Sequence, residues 1–225
     1  MIKCDKGPVV FEDGMISRSM NMSLSQQVDI AQVEGGDEIF NSDFLEYLIA
    51  LNDRFTPMIH SLRLERNNVL KDCLDNQTLP VNNEISTVPN DWKVPSTPDD
   101  LNEPGIEITG PASITGMFIN ALNPGPGGIR AEGDLDDDED AAGHRLLDTV
   151  TAAQNRLAAV KGTLEHYDKA RDKEYKLAPG KIPFFMHRER GLHLDESDIK
   201  INNKPVPACL LGAGLTMYYC GREQI

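Results

Sequence analysis

Apolar positions along the chain recur with two periods, and these predict most of its elements. Phe44, Leu48, Leu51 and Phe55 are spaced by four, three and four residues, which is one face of a helix. Ser42 is placed to cap that helix, with Asp43 in its first turn. Pro57 should end or kink it. Ile59, Leu62, Val69 and Cys73 then predict a second helix with a buried stripe, leaving Arg63, Glu65, Arg66 and Lys71 solvated. Thr115–Leu122 reads as a short helix, and Leu146, Leu147, Val150, Leu157 and Val160 as an amphipathic one. Ile106–Ile108 and the run Ile182–Met186 are short enough to be strands, the second a buried one. Thr163–Tyr167 and Glu174–Leu177 flank a charged segment, as in a hairpin. Ile199–Ile201 predicts a strand, Asn202-Asn203-Lys204 a turn, and Pro205-Val206-Pro207 leads into Ala208–Cys220, a glycine-interrupted apolar segment.

Two stretches lack such periods. Residues 1–36, with Met15, Met20 and Met22 among polar residues, read as a loose N-terminal arm. Residues 76–103 read as a linker, because Pro80, Pro89, Pro95 and Pro98 forbid a long helix and Asn82, Asn83 and Asn90 favour turns. The single tryptophan, Trp92, lies in this linker and is expected to pin it onto a core. Pro124-Gly125-Pro126-Gly127-Gly128 must be a loop, and no Gly-Lys-Ser/Thr follows to make it a phosphate cradle.

Composition narrows the function classes. The chain has 225 residues and a net charge of −14, enough for one domain or two small ones. That charge argues against nucleic acid or an anionic membrane as the main partner. Cys4, Cys73, Cys209 and Cys220 form no C-x-x-C pair, so reduced thiols in an intracellular protein are expected. His60, His144, His166, His187 and His193 show no H-E-x-x-H spacing. No apolar run reaches the length of a membrane span.

Candidate chemistry lies in Phe184–Leu194. Alternation puts Arg188 and Arg190 on one face at the end of a buried strand. Two guanidiniums there are best tolerated opposite an anion or carboxylates, though a surface strand end with salt-bridged arginines has the same spacing. Asp134–Asp140 is the most acidic stretch, and by composition a solvated loop. Counted from Asp134, it has Glu139 and Arg145 where an EF-hand needs glycine and glutamate.

Arg188-Glu189-Arg190-Gly191-Leu192-His193-Leu194 resembles the arginine segment of the malate synthase family, Arg-Pro-Arg-Gly-Trp-His-Leu, with Glu189 for the proline and Leu192 for the tryptophan. Asp91-Trp92-Lys93-Val94, Asp100-Leu101, Glu107–Pro111 and Ile119–Asn123 resemble the family in the same order. Gly143-His144-Arg145 departs from it, standing where the family has Pro-Thr-Trp. The resemblance implies an α/β fold: an N-terminal helical clasp and linker over 37–104, then over 105–225 the first part of a (β/α)8 TIM-type barrel. That barrel is expected to be incomplete, since a whole one takes roughly 250 residues. It further implies Claisen condensation of acetyl-CoA with glyoxylate to malate and CoA, the glyoxylate-cycle reaction. Arg188 matches the family's catalytic arginine, which stabilises the oxyanion, and Arg188 and Arg190 are the candidate substrate-binding residues. Mg2+ is the implied cofactor, with its ligands and the aspartate base expected in segments after residue 225. Near-metal carboxylates fit two registers, Asp134–Asp137 or Asp137–Asp140, and the second, giving Glu139 and Asp140, needs no gap. The location expected is intracellular, cytoplasmic or peroxisomal/glyoxysomal. A catalytically inactive remnant or interaction domain of the same ancestry is the alternative, and an unrelated acidic binding module a third class.

Overall fold

The computed structural model describes residues 24–80, 91–102 and 105–223. The predicted features on Cys4, Met15, Met20, Met22, Asn82, Asn83, Pro89 and Asn90 lie outside them. The fold is mixed α/β with small sheets. In chain order come α1 (Leu24–Gln27), β1 (Val28–Ile30), α2 (Gly36–Ile39), α3 (Ser42–Asn76), β2 (Glu107–Gly110), α4 (Thr115–Leu122) and β3 (Gly133–Asp137). Then follow α5 (Leu146–Val160), β4 (Glu165–Asp168), β5 (Lys173–Lys176), β6 (Phe184–Arg188), β7 (Asp195–Ile201), β8 (Lys204–Pro207) and α6 (Ala208–Leu215). Thr216–Cys220 continue α6 as a π-helical turn, and Gly221–Glu223 close the described chain as α7.

Two cores share helix α5. Val150 and Ala153 join Phe44, Leu48, Ile199, Val206, Leu211 and Leu215 in one, while Ala152 and Ala159 join Phe118, Ile119, Leu122 and Leu164 in the other. The parallel sheet, in the order β2-β3-β6, stands beside the second core. The antiparallel sheet β1-β7-β8 closes the first. Asn202 and Asn203, both at positive φ, make the β7–β8 turn, a conformation asparagine tolerates better than most residues.

Several expectations need correction. Part of the presumed loose arm is ordered: β1 pairs antiparallel with β7, Val28 opposite Ile201 and Ile30 opposite Ile199. Asn41, not Ser42, caps α3, its side chain accepting from Phe44 N at 3.0 Å. The helix also runs through Pro57 as one element of 35 residues. An interior proline costs about 3 kcal/mol. Burial of Phe44 and Leu48 before it and Ile59 after it offsets that cost. Farther on, Arg63 donates to the carbonyls of Leu192 and Leu194 and pairs with Asp195 at 2.8 Å, so it is not merely solvated. Most of the second stripe is not core: Ile59 is buried, but Cys73 is only half-buried and Leu62 and Val69 are exposed. Trp92 is 60% exposed, so it is not buried in a core of the described residues. Lys204–Pro207 is a strand and not merely a lead-in; Pro205 and Pro207 fit because β8 is an edge. The acidic stretch is no solvated loop, since Asp134, Asp136, Asp137 and Asp138 are all buried.

Candidate active site at the ends of the parallel strands

Register fixes which side chains meet. Ile108, Asp134 and Phe185 are paired across the parallel sheet, as are Gly110, Asp136 and His187. By alternation these share one face. That face meets the helices: Phe185 packs on Phe118 of α4, and Asp136 pairs with Arg156 of α5. Thr109, Leu135 and Met186 take the opposite face, with Asp137 and Arg188 at its C-terminal end. Thr109 is exposed there and Leu135 and Met186 half-buried.

On this open face the carboxylate of Asp137 holds Arg188 in a two-pronged pair, Nε to Oδ1 at 2.9 Å and Nη2 to Oδ2 at 2.6 Å. Nη2 also reaches Asp140 Oδ2 at 2.7 Å, and Nη1 lies 3.6 Å from Glu139 Oε2. Asp137 Oδ1 accepts from the backbone N–H groups of Glu139 and Asp140 as well, which folds the acidic turn back over the arginine. The hydrogen bonds to Asp137 raise the Arg188 guanidinium further above its ordinary value and hold the Asp137 carboxyl below the usual range. Gly191 lies close by, where a Cβ would meet the His193 ring at 2.6 Å and Glu139 Oε1 at 3.2 Å, so a larger residue would shift those side chains.

The structure therefore gathers Arg188, Glu139 and Asp140, but not Arg190. Strand β6 ends at Arg188, so the alternation expected to align the two arginines stops there. Arg190 turns inward, 5% exposed, and pairs with Glu196 of β7 at 2.9 Å. The strand assignment also bears on the acidic register. Asp134–Asp137 lie in β3, whereas Glu139 and Asp140 lie in the turn beyond.

On the helix-facing side lies a buried network that the sequence did not reveal. Arg156, fully buried, binds Asp136 through Nε and Asp138 Oδ2 through Nη2 at 2.6 Å. His187 spans Asp136 Oδ2 at 2.9 Å through Nδ1 and Glu189 Oε1 at 2.6 Å through Nε2. Burial opposes the imidazolium, but the hydrogen bonds to Asp136 and Glu189 outweigh it and lift His187 to about 9. Burial alone would raise Asp136 too; the hydrogen bond with His187 and the charge of Arg156 hold it low. Asp134 has no such partner. Burial, with Asp136 adding repulsion, pushes it up to about 7. One signal was present: Arg156 sits among Ala152, Ala153 and Ala159 on the apolar face of α5, where an arginine implies buried carboxylates.

Magnesium calls for hard oxygen donors in a near-octahedral array. The oxygens of Asp137 and Asp140 nearest the open face are already bound by Arg188. The other group of possible ligands among the described residues, Asp138, His187 and Glu189, includes an imidazole. Neither set fits that ion.

No family model matches the chain. The malate synthase of Myxococcus xanthus is 38% identical over 135 residues, which is 60% of this chain and 24% of that protein. The bifunctional glyoxylate cycle protein of Caenorhabditis elegans is 31% identical over 207 residues, 91% of this chain and 20% of that protein. Malate synthase A of Escherichia coli is 31% identical over 184 residues, 81% of this chain and 33% of that protein. The chain thus spans a fifth to a third of the length of these relatives. By sequence the chain is a relative of the malate synthases.

Proposed function

We propose that these residues form the arginine-bearing part of a malate synthase-type active site, for condensation of acetyl-CoA with glyoxylate to malate and CoA. The observation that carries this reading is the placement of Arg188 at the C-terminal end of a parallel strand, on the open sheet face, beside the strand-end carboxylate of its neighbour. Barrel active sites sit at such ends. A guanidinium held there by Asp137 is oriented before substrate arrives, and Nη1, with only Glu139 at 3.6 Å, is its least committed edge. That edge can donate to the oxyanion that develops as the thioester enolises or as the glyoxylate carbonyl is attacked. Asp140, largely exposed, is the partner a substrate anion would displace.

The finer architecture belongs to the same proposal. The order strand–helix–strand through β2, α4 and β3, with β3 and β6 parallel, suits the first part of a (β/α)8 barrel whose interior is the Thr109–Leu135–Met186 face. Helix α3 takes the part of the clasp. Asp137 and Asp140 are spent on the guanidinium, so neither is free to act as the base. The base and the magnesium ligands therefore come from residues other than these. Arg190 serves as a support for the loop after β6, not as a substrate ligand. An intracellular location, cytoplasmic or glyoxysomal, goes with the reaction.

The test follows CoA thiol release with acetyl-CoA, glyoxylate and magnesium, using a control without glyoxylate. The 225 residues alone should release none. The same residues completed with the remaining sequence of the Myxococcus xanthus relative should show glyoxylate-dependent release. A completed protein that folds cooperatively but stays inert would favour the inactive-remnant alternative.

A further inference from the structure

The buried network on the helix-facing side contains more acid than its cations balance. Arg156 and His187 face the carboxylates of Asp136, Asp138 and Glu189, three acidic side chains against two basic ones. Two oxygens of that set are buried without a hydrogen-bond partner, Asp138 Oδ1 and Glu189 Oε2. The Asp138 side chain is only 7% exposed, so its orphaned oxygen is not satisfied by bulk water. Ligand atoms of Asp138, His187 and Glu189 all lie within 4.8 Å of one another. Asp136 accepts from His187 Nδ1, the outer-shell contact that fixes a metal-binding imidazole with Nε2 presented. Space is provided too: a Cβ on Gly212 of α6 would stand 1.9 Å from Glu189 Oε2, so the glycine leaves room for that carboxylate where it lies.

We propose that Asp138, His187 and Glu189 bind a first-row transition metal ion of the zinc type, His187 through Nε2 and each carboxylate through an oxygen. The imidazole argues for zinc, iron, nickel or copper over magnesium. One of the three ligands, Glu189, stands where the malate synthase segment has proline. The site faces α6 and not the open sheet face, so it is separate from the Arg188 edge.

Zinc is titrated into the 225-residue protein against a chromophoric chelator, and X-ray absorption is recorded on the zinc-loaded wild type. One equivalent should bind. Glu189→Gln, which keeps a hydrogen bond to His187, should weaken binding at least tenfold, as should Asp138→Asn, while His60→Gln on α3 should leave it unchanged. The absorption spectrum should show one imidazole nitrogen with oxygens and no sulfur. Absence of a stoichiometric equivalent, an affinity unmoved by Glu189→Gln, or a shell containing sulfur or several imidazoles would overturn the proposal. Should Asp138→Asn fail to fold, Glu189→Gln and the wild-type spectrum still decide it.

Discussion

Asp134 and Arg190 are both buried charges, but they differ in company. Arg190 has Glu196 at 2.9 Å, whereas neither oxygen of Asp134 has a hydrogen-bond partner. Removing one member of a buried pair strands the other, at about 3–5 kcal/mol. Arg190→Met should therefore lower urea stability by that order, and adding Glu196→Leu should restore most of it. For Asp134 the sign is reversed. Its folded pKa, about 7, lies above its ordinary value of 3.8. Its contribution is thus most favourable below about pH 4 and is lost as pH rises through about 7. Asp134→Asn should gain about 1–3 kcal/mol at pH 8, short of the full linkage because the amide is also buried unpaired, and gain nothing at pH 5. Urea titrations in EDTA at the two values check this. At this scale Arg188 was legible because its signature is local. The Arg156 network was not, since its members come from a strand, a helix and a loop.

Periodicity reads elements well when tertiary charge does not intervene. Helices α4 and α5 and the β4–β5 hairpin lie where their apolar spacing put them. Strand β3 escaped because Asp134-Leu135-Asp136-Asp137 has the composition of a loop. Ion pairs to Arg156 and Arg188 neutralise two of those aspartates and override the propensity. Helix α3 was divided at Pro57 because the cost of proline is local, whereas the burial that offsets it is not. The cap was misplaced by one residue, and it can be tested: Asn41→Ala should cost about 1 kcal/mol, read from urea midpoints, because it frees the Phe44 N–H. Asn41 also donates to Tyr219 Oη at 3.1 Å, so the loss should loosen the contact of α3 with the end of the α6 segment.

Among the described residues, the parallel sheet is covered by helices on one face and open on the other, and Arg188 stands at the edge of the open one. The motif order along the chain pointed to this family, but the sheet's two faces were beyond its reach. Which aspartate points inward depends on a register of one residue in β3. The division of labour between the two arginines was likewise hidden, because it depends on where β6 stops. The central claim is that Arg188 stabilises the charge that develops in the condensation. It is tested most directly by steady-state kinetics of Arg188→Lys in the completed protein, with folding checked by circular dichroism. A lysine keeps the charge but not the planar fork. The expected result is a fall in kcat of about 10²–10³-fold with the fold intact. Near-normal turnover from Arg188→Lys would contradict it.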